Sequence, residues 1–167
     1  MARSHELESF DLDFFDDAKA SRWSKPPVFE SGGGGLVSTA DDYLSFCRML
    51  LAKGRPVGAR SRKRVLSRPA VDLMTTDQLQ PAHKEGAEIF FGDARSWGMG
   101  LSVTVRRTEL WETPGRFGWD GGYGTSGYSD PEEELIGILL TQRIMESPLP
   151  PRVYTDFWNG AYQSIDD

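Results

Sequence analysis

The sequence contains few of the residues that metal centres and disulfide-stabilised folds require. Its 167 residues include one cysteine, Cys47, and two histidines, His5 and His83. A single thiol cannot form an internal disulfide, and two imidazoles are too few for an ordinary zinc site. Cys47 is instead expected to be a small buried hydrophobic residue of a helix. The sequence therefore predicts no metal and no cofactor.

Long apolar runs are also missing. None approaches the ~20 residues of a transmembrane helix, and the first residues lack the apolar core of a signal peptide. The composition is 38% hydrophobic and 26% charged, with a formal net charge of −6, as in soluble globular proteins. The dense basic run RSRKR, Arg60 to Arg64, is interpreted as a solvated loop. We expect no nucleic acid or membrane partner, and cytoplasmic residence, or a periplasmic or secreted location if an N-terminal part has been removed.

Apolar spacing and capping residues predict three helices. The first is expected over about 40–53, because its apolar residues follow the spacing of one buried helix face and Gly54 supplies a stop. Ser67 marks the start of a second helix of two or three turns. Residues 80–96 are predicted as loop. A last helix is expected after Pro151 and should lie across a sheet.

Three strands are predicted, over residues 97–105, 116–129 and 135–142. In the first strand apolar residues alternate with glycine, serine and threonine. The other two form a hairpin around Asp130-Pro131-Glu132-Glu133, because Asp-Pro suits the start of a turn. The predicted fold class is α+β, with a three-stranded antiparallel sheet covered by a C-terminal helix and a small helical part before it.

The chain is predicted to contain an arm followed by one domain. Residues 1–30 mix acidic and aromatic side chains without a regular period, which favours an irregular N-terminal arm. Residues 31–167 then form the domain. Its helical part covers about 38–80, and its sheet and terminal helix cover about 97–165.

Three segments together carry a resemblance to a known family. They are SGGGGLVSTADDYLSFCRMLL at 31–51, GWDGGYGT at 118–125, and YSDPEEELIGILLTQR at 128–143. In this order they resemble the C-terminal portion of serine β-lactamases, penicillin-binding proteins and related esterases of the class C type. The alternative interpretation of the glycine-rich strand is a tight sheet edge without a ligand.

The resemblance implies roles for five neighbouring residues. The backbone N–H of Gly122 corresponds to one donor of the family's oxyanion hole, and Trp119, Asp120, Gly121 and Tyr123 form the substrate-binding wall. Trp119 stands where β-lactamases have a lysine that helps to hold the substrate carboxylate, so a neutral ester or amide is favoured. The carboxylate of Asp120 would repel an anionic substrate or orient a neighbouring hydroxyl or amine.

The family's nucleophile motif is missing, because no serine in the chain is followed by lysine three residues later. Ser38, Ser126 and Ser129 lie near the matching segments, but none has a lysine or histidine at a recognised sequence spacing. We therefore expect a fragment of a β-lactamase-like serine hydrolase that is inactive alone. Its substrate in the intact enzyme would be a small-molecule ester, amide or β-lactam, and its partner a second copy or the missing N-terminal half. The alternatives are a non-catalytic binding module and one half of a split enzyme.

Overall fold

The structure, a computed structural model, describes residues 15–58, 63–109 and 111–166. The chain divides into two compact units, residues 1–38 and residues 39–167. Each unit is described by itself below. Every helix in the described part of the chain is too short or too polar to span a lipid bilayer.

The first unit contains little regular structure where it is described. A 3₁₀ helix covers Arg22–Ser24, and the ring of Trp23 occupies the space that a side chain at Gly35 would need. Residues 1–14 of the predicted arm lie outside the described residues. So do the first three residues of the basic run Arg60 to Arg64, for which a loop stays a prediction.

The second unit contains the helices and the sheet. Its described helices are α1 (Ala40–Leu51), α2 (Arg68–Thr75), α3 (Pro81–Lys84), α4 (Glu88–Phe91) and α5 (Arg152–Gln163). Its described strands are β1 (Arg95–Trp97), β2 (Ser102–Thr104), β3 (Phe117–Gly121), β4 (Thr125–Asp130) and β5 (Leu135–Leu140).

The three predicted helices form where the sequence places them, and side chains cap the first two, α1 and α2. At the start of α1 the Thr39 hydroxyl accepts a hydrogen bond from the Asp42 N–H at 3.1 Å. The helix ends slightly earlier than predicted, and the N–H of Gly54 donates to the Met49 carbonyl at 2.8 Å. Ser67 caps α2. Local hydrogen bonds therefore fix these helix ends.

The sheet has five antiparallel strands in the order β1-β2-β3-β4-β5, so the predicted count of three is wrong. The hairpin around Asp130 is confirmed as the connection from β4 to β5. Each of the other two predicted strands is interrupted by a turn between two antiparallel strands. The segment 97–105 contains the β1–β2 turn, and the segment 116–129 contains the turn between β3 and β4.

Glycines cause both of these unpredicted turns. Gly100 has a φ of +99° and Gly124 a φ of +86°, in the region that favours glycine. A Cβ at Gly98 would overlap the Met74 carbonyl, and one at Gly124 would overlap the Arg143 carbonyl. In 97–105 the alternation of small and apolar residues continued through the glycines, so the pattern indicated an uninterrupted strand.

The prediction of loop over residues 80–96 is also wrong in part. This segment contains α3, α4 and the first residues of β1. Both helices are four residues long, and a single turn is too short to show apolar periodicity. Of these two helices, α4 forms one wall of the candidate site.

Helices cover both faces of the sheet. Tyr43 of α1 packs on Gly127 of β4, whereas Trp158 of α5 packs on Gly137 of β5. Gly137 pairs with Tyr128 across the ladder. Since Gly127 and Tyr128 are adjacent in one strand, they face opposite sides of the sheet, and so α1 and α5 lie on opposite faces. The last helix thus covers the sheet as predicted.

Candidate functional site

The glycine-rich end of β3 is an open sheet edge. On one side β3 pairs with β4 along its whole length. On the other side β2 pairs only with Phe117 and Gly118. Within the described residues, Trp119 to Gly121 have no strand on this outer side. Backbone groups at such an edge are available to a ligand lying alongside the strand.

Gly122 follows this edge directly and is exposed. Its carbonyl accepts a hydrogen bond from the Met145 N–H at 2.9 Å. The preceding carbonyl, of Gly121, accepts from the Gly124 N–H at 3.0 Å and from the Tyr154 hydroxyl at 3.3 Å. Among the described residues no group accepts the N–H of Gly122. Hydrogen bonds to the carbonyl groups of Gly121 and Gly122 therefore hold the turn, while the Gly122 N–H stays available to a ligand.

A cavity of about 530 Å³ lies along the same edge, a volume within the range of small-molecule sites. One wall consists of Ile89, Phe90 and Phe91 of α4, and the other includes Trp119 and Gly122. Apart from Gly122 and its two chain neighbours, no residue has a heavy atom within 4 Å of the position that a Cβ of Gly122 would take. The available N–H thus sits beside open space that a substrate can enter.

The indole of Trp119 forms part of an aromatic row. It contacts Trp97 edge-to-face, with ring centroids 4.8 Å apart, and Trp97 in turn contacts Phe91 at 6.5 Å. The Trp119 side chain is nevertheless 41% exposed. The row holds its ring in place beside the cavity while leaving one face available.

Asp120 also borders the cavity, but its side chain is only 12% exposed. Its carboxylate accepts hydrogen bonds from the Ser126 hydroxyl at 2.6 Å and from the Tyr128 hydroxyl at 3.1 Å. The Arg95 guanidinium lies 3.5 Å from it. In this structure Asp120 therefore orients the hydroxyls of Ser126 and Tyr128.

Burial and charge fix the protonation state of Tyr128. Burial first, and the neighbouring Asp120 carboxylate second, raise the pKa of the Tyr128 phenol well above its ordinary value. The phenol therefore keeps its proton near neutral pH and donates a hydrogen bond to Asp120. Tyr128 does not have the pKa of a general base.

Behind Asp120 lies a second carboxylate, Glu112, which is 1% exposed. Its Oε1 lies 3.4 Å from the Arg95 guanidinium and 3.6 Å from that of Arg116, and it accepts from the Thr104 hydroxyl at 3.0 Å. Burial would lower the pKa of Arg95, but Tyr128 and the two carboxylates raise it. The Arg95 guanidinium thus interacts with Glu112, Asp120 and Tyr128 of the same chain.

Arg116 is fully buried and stacked between aromatic rings. Its guanidinium lies 3.7 Å from the Tyr128 ring centroid and 4.1 Å from that of Trp158. Burial lowers the pKa of Arg116. Stacking and the ion pair with Glu112 compensate in part for the lost hydration of this charge.

Of the residues predicted for the site, Trp119, Asp120 and Gly122 line the cavity. Tyr123 is 51% exposed at the tip of the turn, and Gly121 approaches the Thr125 side chain so closely that a Cβ would overlap it. Neither of these two is part of the cavity lining. The structure therefore brings together part of the predicted set.

Sequence reasoning missed the cavity residues of α4 and the charged pairs around Arg95. Arg95 and Tyr128 are 33 residues apart, and no local pattern links positions at that distance. The aromatic pair in α4, Phe90 and Phe91, was the one available signal in the sequence. Large apolar side chains in a polar stretch usually pack against other apolar groups or bind a ligand. In the described part of the chain, no cluster of three or more His, Cys, Asp or Glu side chains is placed to bind a metal ion.

One family model matches most of the chain. A family model described as "Beta-lactamase" matches residues 6–150. Two curated relatives from Mycobacterium tuberculosis, "Uncharacterized protein MT1414" (strain CDC 1551 / Oshkosh) and "Protein Rv1367c" (strain ATCC 25618 / H37Rv), are each 43% identical over 126 residues. The aligned region is 70% of this chain and 30% of each relative, so the chain spans less than a third of their length.

A solved structure is similar to the fold. It is simvastatin synthase (LovD) from Aspergillus terreus, in the form of the LovD6 mutant, with a TM-score of 0.61 and 23% sequence identity. The match covers 80% of this chain and 35% of that one. At this identity the likeness concerns the fold.

Proposed function

Since the chain belongs to the beta-lactamase family, we propose that it supplies one wall of a serine acyl-transfer site, with the Gly122 N–H as an oxyanion donor. The observation that carries the proposal is the available N–H of Gly122 beside the cavity, at the open edge of β3. The nucleophilic serine and its base would come from the N-terminal half of the family's fold, which this chain does not supply.

The proposed chemistry needs a donor at this position. The serine oxygen attacks the ester carbonyl carbon, the π electrons move to the carbonyl oxygen, and the Gly122 N–H stabilises that oxyanion. Collapse of the intermediate expels the alcohol, which takes the serine proton by way of the base. Water then releases the acid and restores the serine. One such donor contributes roughly 10²–10³ in rate.

The charges around the cavity favour an uncharged substrate. Its lining contains the carboxylates of Glu88, Asp93 and Asp120 and one guanidinium, that of Arg95. Arg95 is already paired with Glu112 and Asp120. Asp93 is paired with Arg106, so a substrate carboxylate, such as that of a penicillin, would meet no free guanidinium in this lining.

The test is reconstitution with the Ser-x-x-Lys half of a family member, supplied as an upstream coding region or as a second polypeptide. We expect ester hydrolysis with the unmodified chain and a loss of roughly 10²-fold or more with Gly122→Val, because the branched side chain fills the space that the carbonyl must enter. Gly160→Val is the matched control, since Gly160 is also exposed with open space around it but lies in α5, away from the cavity.

Equal hydrolysis by the parent and by Gly122→Val would reject the oxyanion assignment. Ligand binding at the cavity without any hydrolysis in the reconstituted mixture would favour the alternative function, a binding module on the same scaffold. Thermal unfolding of both variants shows whether each has kept its fold.

A further inference from the structure

The cavity beside Gly122 has an apolar wall whose exposure is otherwise unexplained. Ile89 is 55% exposed, Phe90 is 50% exposed and Trp119 is 41% exposed. All three line the same cavity, together with Met145 and Pro148. Large apolar side chains that converge on one concave surface usually mark a binding site for an apolar group.

Polar groups in the cavity have fixed positions around this wall. The Asp120 carboxylate is occupied by Ser126, Tyr128 and Arg95. The acidic side chains of Glu88 and Asp93 lie at the start and just past the end of α4. Asp93 is paired with Arg106, and Arg95 of the lining is paired with Glu112 and Asp120. The lining therefore offers no free guanidinium to an anionic ligand.

We infer that this cavity binds the hydrocarbon chain or ring of an uncharged ester, packed between α4 and Trp119 with the ester carbonyl directed to the Gly122 N–H. The inference rests on the proposed function, which it extends by naming the substrate class. Phe90 and Ile89 are then specificity-determining residues. The volume of about 530 Å³ suits a group much larger than acetyl.

Binding of three ligands with the same alkyl chain and different charge tests this inference without any bond cleavage. The ligands are undecan-2-one, decanoate and nonyltrimethylammonium, which all carry a nonyl chain and are titrated into the full chain by calorimetry. We expect saturable binding of the ketone and of the cation, with decanoate weaker than the ketone by about tenfold or more. Equal binding of decanoate and the ketone, or no saturable binding of the ketone, would overturn the inference.

A pair of matched variants locates the binding. Phe90→Asp should weaken ketone binding by about tenfold, because it removes a half-buried aromatic contact and adds a charge. Leu73→Asp is the control, since Leu73 lies in α2, is 47% exposed and does not line the cavity. Unchanged ketone affinity in Phe90→Asp, with its fold intact by circular dichroism, would contradict the proposed position.

Two isomeric esters then show whether the bound hydrocarbon chain belongs to the acyl group or to the alcohol of the ester. The nonyl chain is part of the acyl group in methyl decanoate and part of the alcohol in nonyl acetate. The ester that binds more tightly identifies the arrangement. Ketone binding with failed reconstitution of hydrolysis rejects the proposed function alone. Restored hydrolysis without ketone binding rejects this inference alone.

Discussion

Asp120 and Ser126 face each other across the β3–β4 ladder, with the Ser126 hydroxyl donating to the Asp120 carboxylate at 2.6 Å. The same hydroxyl accepts from the Trp158 indole N–H of α5 at 2.9 Å. Tyr154, also of α5, donates to the Gly121 carbonyl. The terminal helix thus supports the strand and the turn that present Gly122.

Replacing Asp120 by asparagine should weaken the fold. Asparagine keeps the shape of the side chain, but it removes the charge that faces Arg95 and leaves that guanidinium with Glu112. We expect a loss of about 1–3 kcal/mol in the free energy of unfolding, measured by urea denaturation. The control is Asp72→Asn, whose partner Lys53 and own side chain are each 47% exposed, with an expected loss of about 0.5 kcal/mol or less. Equal losses would show that the Asp120 network is not stabilising.

Two glycines of one turn should respond differently to alanine. Gly124 has a positive φ, and its Cβ would overlap the Arg143 carbonyl. We expect Gly124→Ala to cost more than about 2 kcal/mol in the free energy of unfolding. Gly122→Ala should cost about 0.5 kcal/mol or less, because its Cβ would meet open space. A reversed order in chemical denaturation would mean that the turn has a different conformation.

Stability should fall as the pH rises into the alkaline range. Burial raises the pKa of the Cys47 thiol above its ordinary 9.0 and that of the Tyr128 phenol above its ordinary 10.0. The unfolded chain then releases protons that the native chain retains, so the contribution is complete below the ordinary pKa values and is lost above them. Denaturation at several pH values from about 8 to about 10.5 should give a falling free energy of unfolding. A slope that Cys47→Ala and Tyr128→Phe both leave unchanged would contradict this cause.

The chain alone should not catalyse acyl transfer. Ser126 and Ser129 are each 1% exposed, and the Ser126 hydroxyl already donates to Asp120. Incubation with a fluorophosphonate probe and with a chromogenic cephalosporin should give neither labelling nor turnover, since no serine of the sequence is followed by lysine at the Ser-x-x-Lys spacing. The reconstituted mixture is the positive control. Stoichiometric labelling of a single serine in the chain alone would disprove the prediction.

The outer edge of β5 should promote association. β5 is the last strand of the sheet in the described part of the chain, its sequence LIGILL has no charged residue, and Leu140 is 59% exposed. Apolar edges of this kind pair with other strands. Sedimentation velocity at micromolar concentration should show a dimer or larger species, and Leu140→Lys should shift it toward monomer. A monomeric parent chain would count against the role of this edge.

Local patterns were sufficient for some elements. Thr39 and Ser67 cap helices through hydrogen bonds to residues three positions later, so their role is encoded within one helical turn. The Asp130 carboxylate accepts from the N–H groups of Glu132 and Glu133 and forms its turn within four residues. The three matching segments likewise indicated the family, because their order and letters survive in a linear sequence.

The sequence by itself determined the capped helices, the Asp130 turn and the family. Only the tertiary structure decided where Asp120 directs its carboxylate, because that depends on the register with Ser126 and on the packing of α5. It also decided that α4 faces Trp119 across a cavity and that Arg95 is neutralised by Glu112. These relationships join residues distant in sequence, and their energies arise from burial and charge that exist only after the chain has folded.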